Sequence, residues 1–146
     1  MKNISPFLLF LVSITLFTVF GGCAYITGEA IKMPTPTLAA VKNINPQEAN
    51  DLSMLSGYFV QWVDVRTPEE YGGGHIGNAV NINYYAPDFK EKIDQLDKTT
   101  RYIVYCRTGA RSAAASKVMT DLGFKDIYNM LGGFSAWAAA GLPVNQ

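Results

Sequence analysis

Histidine and cysteine are scarce in this chain, which carries one of the former and two of the latter. That scarcity excludes a typical zinc site, which draws on three or four such ligands, and no bound cofactor is expected. Charge of one sign is missing as well. The 12 basic and 12 acidic residues cancel, and with no basic run anywhere the chain lacks the electrostatic footprint of a nucleic-acid binder. Internal repeats and low-complexity blocks are absent too. At 146 residues, 49% apolar and 16% charged, the composition fits one compact domain with a terminal appendage.

The long apolar run lies at the N-terminus. Lys2 gives a minimal positive start, the stretch from Pro6 to Phe20 is apolar apart from Ser13, Thr15 and Thr18, and Gly21 and Gly22 precede Cys23. This is the arrangement of an export signal. An apolar run of about 15 residues is shorter than the roughly 20 a helix needs to span a bilayer, which favours a cleaved signal over a permanent anchor. The ending Phe20-Gly21-Gly22-Cys23 resembles the lipobox of bacterial lipoproteins, with Phe20 where an aliphatic residue is usual. That resemblance implies a lipoprotein-type signal peptide over residues 1–22 and lipidation of Cys23. The protein is then expected on the periplasmic or cell-envelope side, held to the membrane by acyl chains. An ordinary secretory signal and an uncleaved anchor are the alternatives.

Residues 23–36, with Gly28, Pro34 and Pro36, read as a tether, and residues 37–146 as the folded domain. If Cys23 is acylated, Cys106 has no intramolecular partner. A lone thiol in an exported protein points to reactivity rather than packing.

Strands and helices alternate along the domain. Leu38 to Val41 is expected as a first strand. Asn45-Pro46 is a cap followed by proline at the first helical position, opening a helix to about Leu55. Phe59 to Val65 is a β-rich, mostly apolar strand. Thr67-Pro68-Glu69-Glu70 has capping-box spacing and starts a short helix that Gly72, Gly73 and Gly74 end. Ala79 to Ile82 is a short strand, Pro87 to Leu96 an amphipathic helix, and Tyr102 to Tyr105 a buried strand. A helix over residues 110–122 shows Ala114, Val118 and Leu122 at intervals of four and is closed by Gly123. Asp126 to Met130 and Phe134 to Ala140 supply a last strand and helix, the latter approached through the Gly132-Gly133 turn. The alternation predicts an α/β fold with a mostly parallel sheet and helices on both faces, its working site beyond the C-terminal strand ends. Trp62 and Trp137 read as packing residues, and Tyr84-Tyr85 as one ring in and one out.

The segment Cys106-Arg107-Thr108-Gly109-Ala110-Arg111-Ser112 joins the most apolar strand to the start of a helix. Unpaired amides at a helix start carry partial positive charge, so a tight loop there cradles an anion such as a thiolate. Arg107 and Arg111 add formal charge, and both effects lower a cysteine pKa from about 8.5. Gly109 supplies the backbone freedom, and the Thr108 and Ser112 hydroxyls can donate to a bound oxyanion or to the loop.

CRTGARS, DVRTPEEYGGGHIGNAVNI and LGGFSAW, in that set of three, together resemble the rhodanese family over about Thr37 to Pro143. The resemblance implies a doubly wound, five-stranded domain in which Cys106 forms a persulfide and residues 107–112 surround the transferred sulfur. It implies a donor such as thiosulfate and a thiophilic acceptor such as cyanide or a thiol. Asp64, Arg66, Glu70 and His75 match the remaining motif positions and are expected to be structural: a strand end, a cap and a loop anchor. Asn78 stands where the family usually has glycine. The spacing C-x4-R is one residue shorter than in related cell-cycle phosphatases, which implies a cradle for sulfur rather than for phosphate. Arg107 and Arg111 are expected to hold the donor's oxygens. The alternative is a persulfide-relay or protein-docking module with little activity on free thiosulfate.

Overall fold

The computed structural model describes residues 41–57 and 59–146. The expected signal segment, Cys23, the tether and Leu38 to Ala40 lie outside the described residues. In chain order the elements are β1 (Lys42–Ile44), α1 (Pro46–Met54), β2 (Val60–Asp64), α2 (Pro68–Gly72), β3 (Val80–Asn81), α3 (Phe89–Asp94), β4 (Arg101–Tyr105), α4 (Ala110–Asp121), β5 (Asp126–Met130) and α5 (Gly133–Ala139). The strands form one sheet in the order β1-β5-β4-β2-β3, and every pairing in it is parallel.

Period-two alternation along β4 sorts its side chains between two cores. Tyr102 and Val104 point to one face, where they pack with Phe89 and Ile93 of α3 and Ala115 and Met119 of α4. Ile103 and Tyr105 point to the other, with Ala49 of α1 and Trp137 of α5. Trp62 fills that second core, its ring edge-on to Trp137 at 5.3 Å and to Tyr105 at 6.0 Å. With helices on both faces, β4 and β5 are buried and their C-terminal ends open together at one edge.

The helix starts follow the sequence closely. Asn45 accepts from the Glu48 amide at 2.9 Å while Glu48 accepts from the Asn45 amide at 2.8 Å, and Thr67 and Glu70 do the same at 3.3 and 3.1 Å. Gly123, at a φ of +92°, closes α4.

Two expectations are corrected. Among the described residues the first strand is Lys42–Ile44, and Val41, expected as the end of a strand, lies before it. Among those residues β1 pairs only with β5, Lys42 and Asn43 are exposed and no apolar alternation marks it; Lys42 instead reaches Asp126 at 3.0 Å. On α4 the buried residues are Ser112, Ala115, Ser116 and Met119, with Val118 and Leu122 only at the margin of the core. Small side chains let this helix approach the sheet closely, and two of them are serines. An apolar stripe was therefore the wrong signal for the inward face.

Candidate active site

The buried strand β4 ends at Tyr105 and delivers Cys106 to the sheet edge with 1% of its surface exposed. Gly109, at a φ of +106°, turns the chain so that its amide donates to the Cys106 Sγ at 3.1 Å. A side chain is unwelcome there, since a Cβ would lie 3.3 Å from the Gly132 amide nitrogen and in a backbone region that strains L-residues.

The loop's carbonyls are drawn off in another direction. Cys106 O accepts from the Phe134 amide at 2.7 Å and Arg107 O from the Ser135 amide at 3.0 Å, so the first turn of α5 holds both. Gly133 makes that approach feasible, because any Cβ on it would collide with Cys106 O and sit 2.8 Å from the Arg107 carbonyl carbon. With its carbonyls committed to α5, the loop is free to turn its amides on the sulfur.

Burial pushes the Cys106 thiol up, but hydrogen bonds from the amides of Ser112, Gly109 and Thr108 more than offset it, and the thiol is held below its ordinary value. The Ser112 hydroxyl carries one proton, and its 2.7 Å contact with Asn129 Oδ1 is the shortest open to it; the amides are therefore the donors that stabilise the thiolate. Asn129 in turn donates to Asn43 Oδ1 at 2.9 Å, tying the base of the loop across β5 to β1.

The second wall comes from the end of β2. Asp64 and Arg66 form a buried pair at 2.6 Å, and the Arg66 guanidinium also donates to Gly74 O at 2.7 Å and lies 4.1 Å from the centre of the Phe134 ring. Asn81 Nδ2 donates to the carbonyls of Asp64 and Arg66, both at 3.0 Å, which locks the turn between them. Glu70, besides closing its helix cap, accepts two hydrogen bonds from Arg111 at 2.8 and 3.0 Å. The Arg111 hydrogen bonds hold the Glu70 carboxyl down at about 2.

The two arginines of the loop thus differ. Arg111 is bound to Glu70 and has the exposed Tyr85 ring 5.4 Å from its guanidinium. Arg107 is exposed and meets no carboxylate among the described residues. Arg111 thus braces the loop against α2. Thr108 and Ala110 are exposed on the loop's outer turn. Tyr84 packs inward on Phe89 at 5.2 Å.

Beside the loop lies a cleft of about 450 Å³ lined by Arg66, Glu70, Arg107, Phe134, Ser135 and Ala138. His75 is not among these residues. Its ring stacks on Tyr71 at 4.0 Å and its backbone pairs with Asn145 at 2.8 Å in both directions, the position of an anchor for the chain end. Sequence reasoning missed Asn129 and Ala138 as parts of this region; it read Tyr84-Tyr85 as one ring in and one out, and Phe134 and Ser135 as members of the LGGFSAW motif. Asn129 carried a signal, a polar side chain on a strand buried on both sides; Ala138 carried none.

A family model described as rhodanese-like domain matches residues 46–140. The chain is 37% identical over 105 residues to a protein of Arabidopsis thaliana named thiosulfate sulfurtransferase 16, chloroplastic, a match covering 65% of this chain and 85% of that one. It is 35% identical over 103 residues to the thiosulfate sulfurtransferase GlpE of Pseudomonas putida, covering 70% and 89%. The crystal structure of a rhodanese-related protein from Thermoplasma volcanium superposes with a TM-score of 0.63 at 32% identity, over 71% of this chain and 97% of the other.

Proposed function

Because this chain belongs to the rhodanese-like domain family, we propose that it is a sulfurtransferase, with Cys106 taking sulfane sulfur from an anionic donor such as thiosulfate and passing it to a thiophilic acceptor. One observation carries the reading: the Cys106 sulfur is cradled by backbone amides that hold its thiol below the ordinary value despite burial. Those amides favour the thiolate, the nucleophile the reaction requires, in a sheltered position.

In the first step the thiolate attacks the outer sulfur of thiosulfate. The S–S bond of the donor breaks, sulfite leaves with the bonding electron pair, and Cys106 is left as a persulfide. Arg107, exposed and without a carboxylate partner among the described residues, attracts the donor's oxygens and stabilises the departing sulfite. Arg111 contributes its charge from a fixed position, braced by Glu70. In the second step an acceptor nucleophile takes the outer sulfur and the Cys106 thiolate is regenerated, which gives ping-pong kinetics. The amides that held the thiolate hold the persulfide anion by the same donors. The small ring of the C-x4-R loop, with the Gly109 amide already 3.1 Å from sulfur, favours a sulfur atom over a phosphate group.

Mass spectrometry of the protein before and after thiosulfate, and again after cyanide, tests the cycle. The expected result is a gain of one sulfur on Cys106 that cyanide removes as thiocyanate, with Cys106→Ser inert but folded. A Cys106→Ser variant that still turns over removes the proposal. We further propose that the domain is exported and lipid-anchored through Cys23. Labelling of expressed protein with a fatty-acid analogue, lost on Cys23→Ala, is the expected outcome; unlabelled protein of full mass would refute it.

A further inference from the structure

The cleft beside the Cys106 loop is far larger than thiosulfate or cyanide needs. At about 450 Å³ it falls within the ~300–1,000 Å³ of clefts that hold organic ligands. Its walls are also of two kinds. Phe134 and Ala138 stand four apart on α5 and so share one helix face, presenting an aromatic ring and a methyl group, with the Ser135 hydroxyl beside them. Three charged residues complete it, and two of those are neutralised. Arg66 is paired with Asp64 at 2.6 Å and Glu70 with Arg111 at 2.8 Å. Arg107 is the cleft-lining charge without a counter-ion among the described residues. A site with an apolar wall and one uncompensated cation selects a ligand with an apolar body and one negative charge.

Resting on the sulfurtransferase reading, we propose that this cleft binds the acceptor: a small organic thiol with an apolar side group on Phe134 and Ala138 and one carboxylate on Arg107. The cleft shares Arg107 with the loop and rests on Phe134, whose amide holds the Cys106 carbonyl at 2.7 Å. A ligand in it lies against Arg107, the residue that follows Cys106. The acceptor thiolate attacks the outer sulfur of the Cys106 persulfide, a new S–S bond forms to the acceptor, and the bond to Cys106 breaks with its electron pair returning to the Cys106 thiolate. The product is the acceptor's own persulfide anion. Charge and sulfur both balance without an oxidant or reductant.

The test loads Cys106 from thiosulfate and follows loss of the outer sulfur by rapid-quench mass spectrometry with four thiols: 3-mercaptopropionate, 3-mercaptopropionamide, and the 2-benzyl derivative of each. The expected order places the benzyl acid first, at least tenfold faster in kcat/KM than its amide and at least tenfold faster than the unsubstituted acid. Arg107→Gln should abolish the preference for acid over amide. Ala138→Phe, an exposed position on α5, should cut the benzyl preference at least tenfold by filling the apolar wall. Four thiols reacting within twofold of one another, or a benzyl preference that survives Ala138→Phe, would overturn the inference while leaving the sulfurtransferase reading intact. Failure of Cys106 to take up sulfur at all would overturn both.

Discussion

Two ion pairs stand at the same sheet edge and do different work. Asp64 and Arg66 are two residues apart, their side chains 0% and 4% exposed; four hydrogen bonds join them and a fifth runs from Arg66 to Gly74 O. Glu70 and Arg111 come from α2 and α4, 41 residues apart, and their side chains keep 23% and 15% of their surface. The first pair shapes one turn from within. The second joins two segments far apart in the chain, and it places a fixed cation beside the reactive loop. The buried charge pair is chiefly architecture, while the half-buried one sits where it can tune chemistry.

Breaking the first pair should have the largest effect. Asp64→Asn leaves the Arg66 guanidinium buried without a counter-charge, at a cost of about 3–5 kcal/mol, measurable by urea denaturation. A loss below about 1 kcal/mol would mean that Gly74 O and the Phe134 ring suffice for Arg66.

Glu70→Gln sharpens the comparison, because glutamine keeps the cap of α2 and removes only the charge. The expected loss is about 1 kcal/mol at neutral pH. Glu70 titrates near 2 when folded against an ordinary 4.5, so its contribution is fully present above about pH 4.5 and is lost as pH falls toward 2. The stability gap between wild type and variant should therefore be flat above pH 4.5 and close below it. A gap that persists unchanged to pH 2 would sever it from the ionised carboxylate. The same variant leaves Arg111 uncompensated, and the pH midpoint of Cys106 alkylation should move down. An upward shift would show that Glu70 matters by holding Arg111 in place.

The smallest effect is the reference point. Lys117 and Asp121 form an exposed pair at 3.2 Å one turn apart on α4, and Lys117→Ala should change stability by only ~0.3 kcal/mol. Alkylation of Cys106 should not move at all.

Local rules explain which parts were legible in the sequence. Both capping boxes, the buried strand β4 and the glycine-turned Cys106 loop are set by neighbours within a few residues, and each stands where its motif put it. The edge strand β1 was invisible because pairing on one side imposes no apolar rhythm, and the inward face of α4 was misread because close packing favours serine and alanine over large apolar side chains. Arg111 could be recognised as part of the loop but not as Glu70's partner, since nothing local relates residues so far apart. The α5 contacts were hidden for the same reason, being made by backbone amides that any residue but proline could supply.

That last contact has a consequence in time. The carbonyls of Cys106 and Arg107 are held by the amides of Phe134 and Ser135, and α5 is the last element of the domain in chain order. During synthesis the ribosome releases the thiol well before it releases the turn that fastens its loop. The growing chain therefore carries Cys106 without its finished cradle until α5 has been added, and the activated sulfur comes into being only after that.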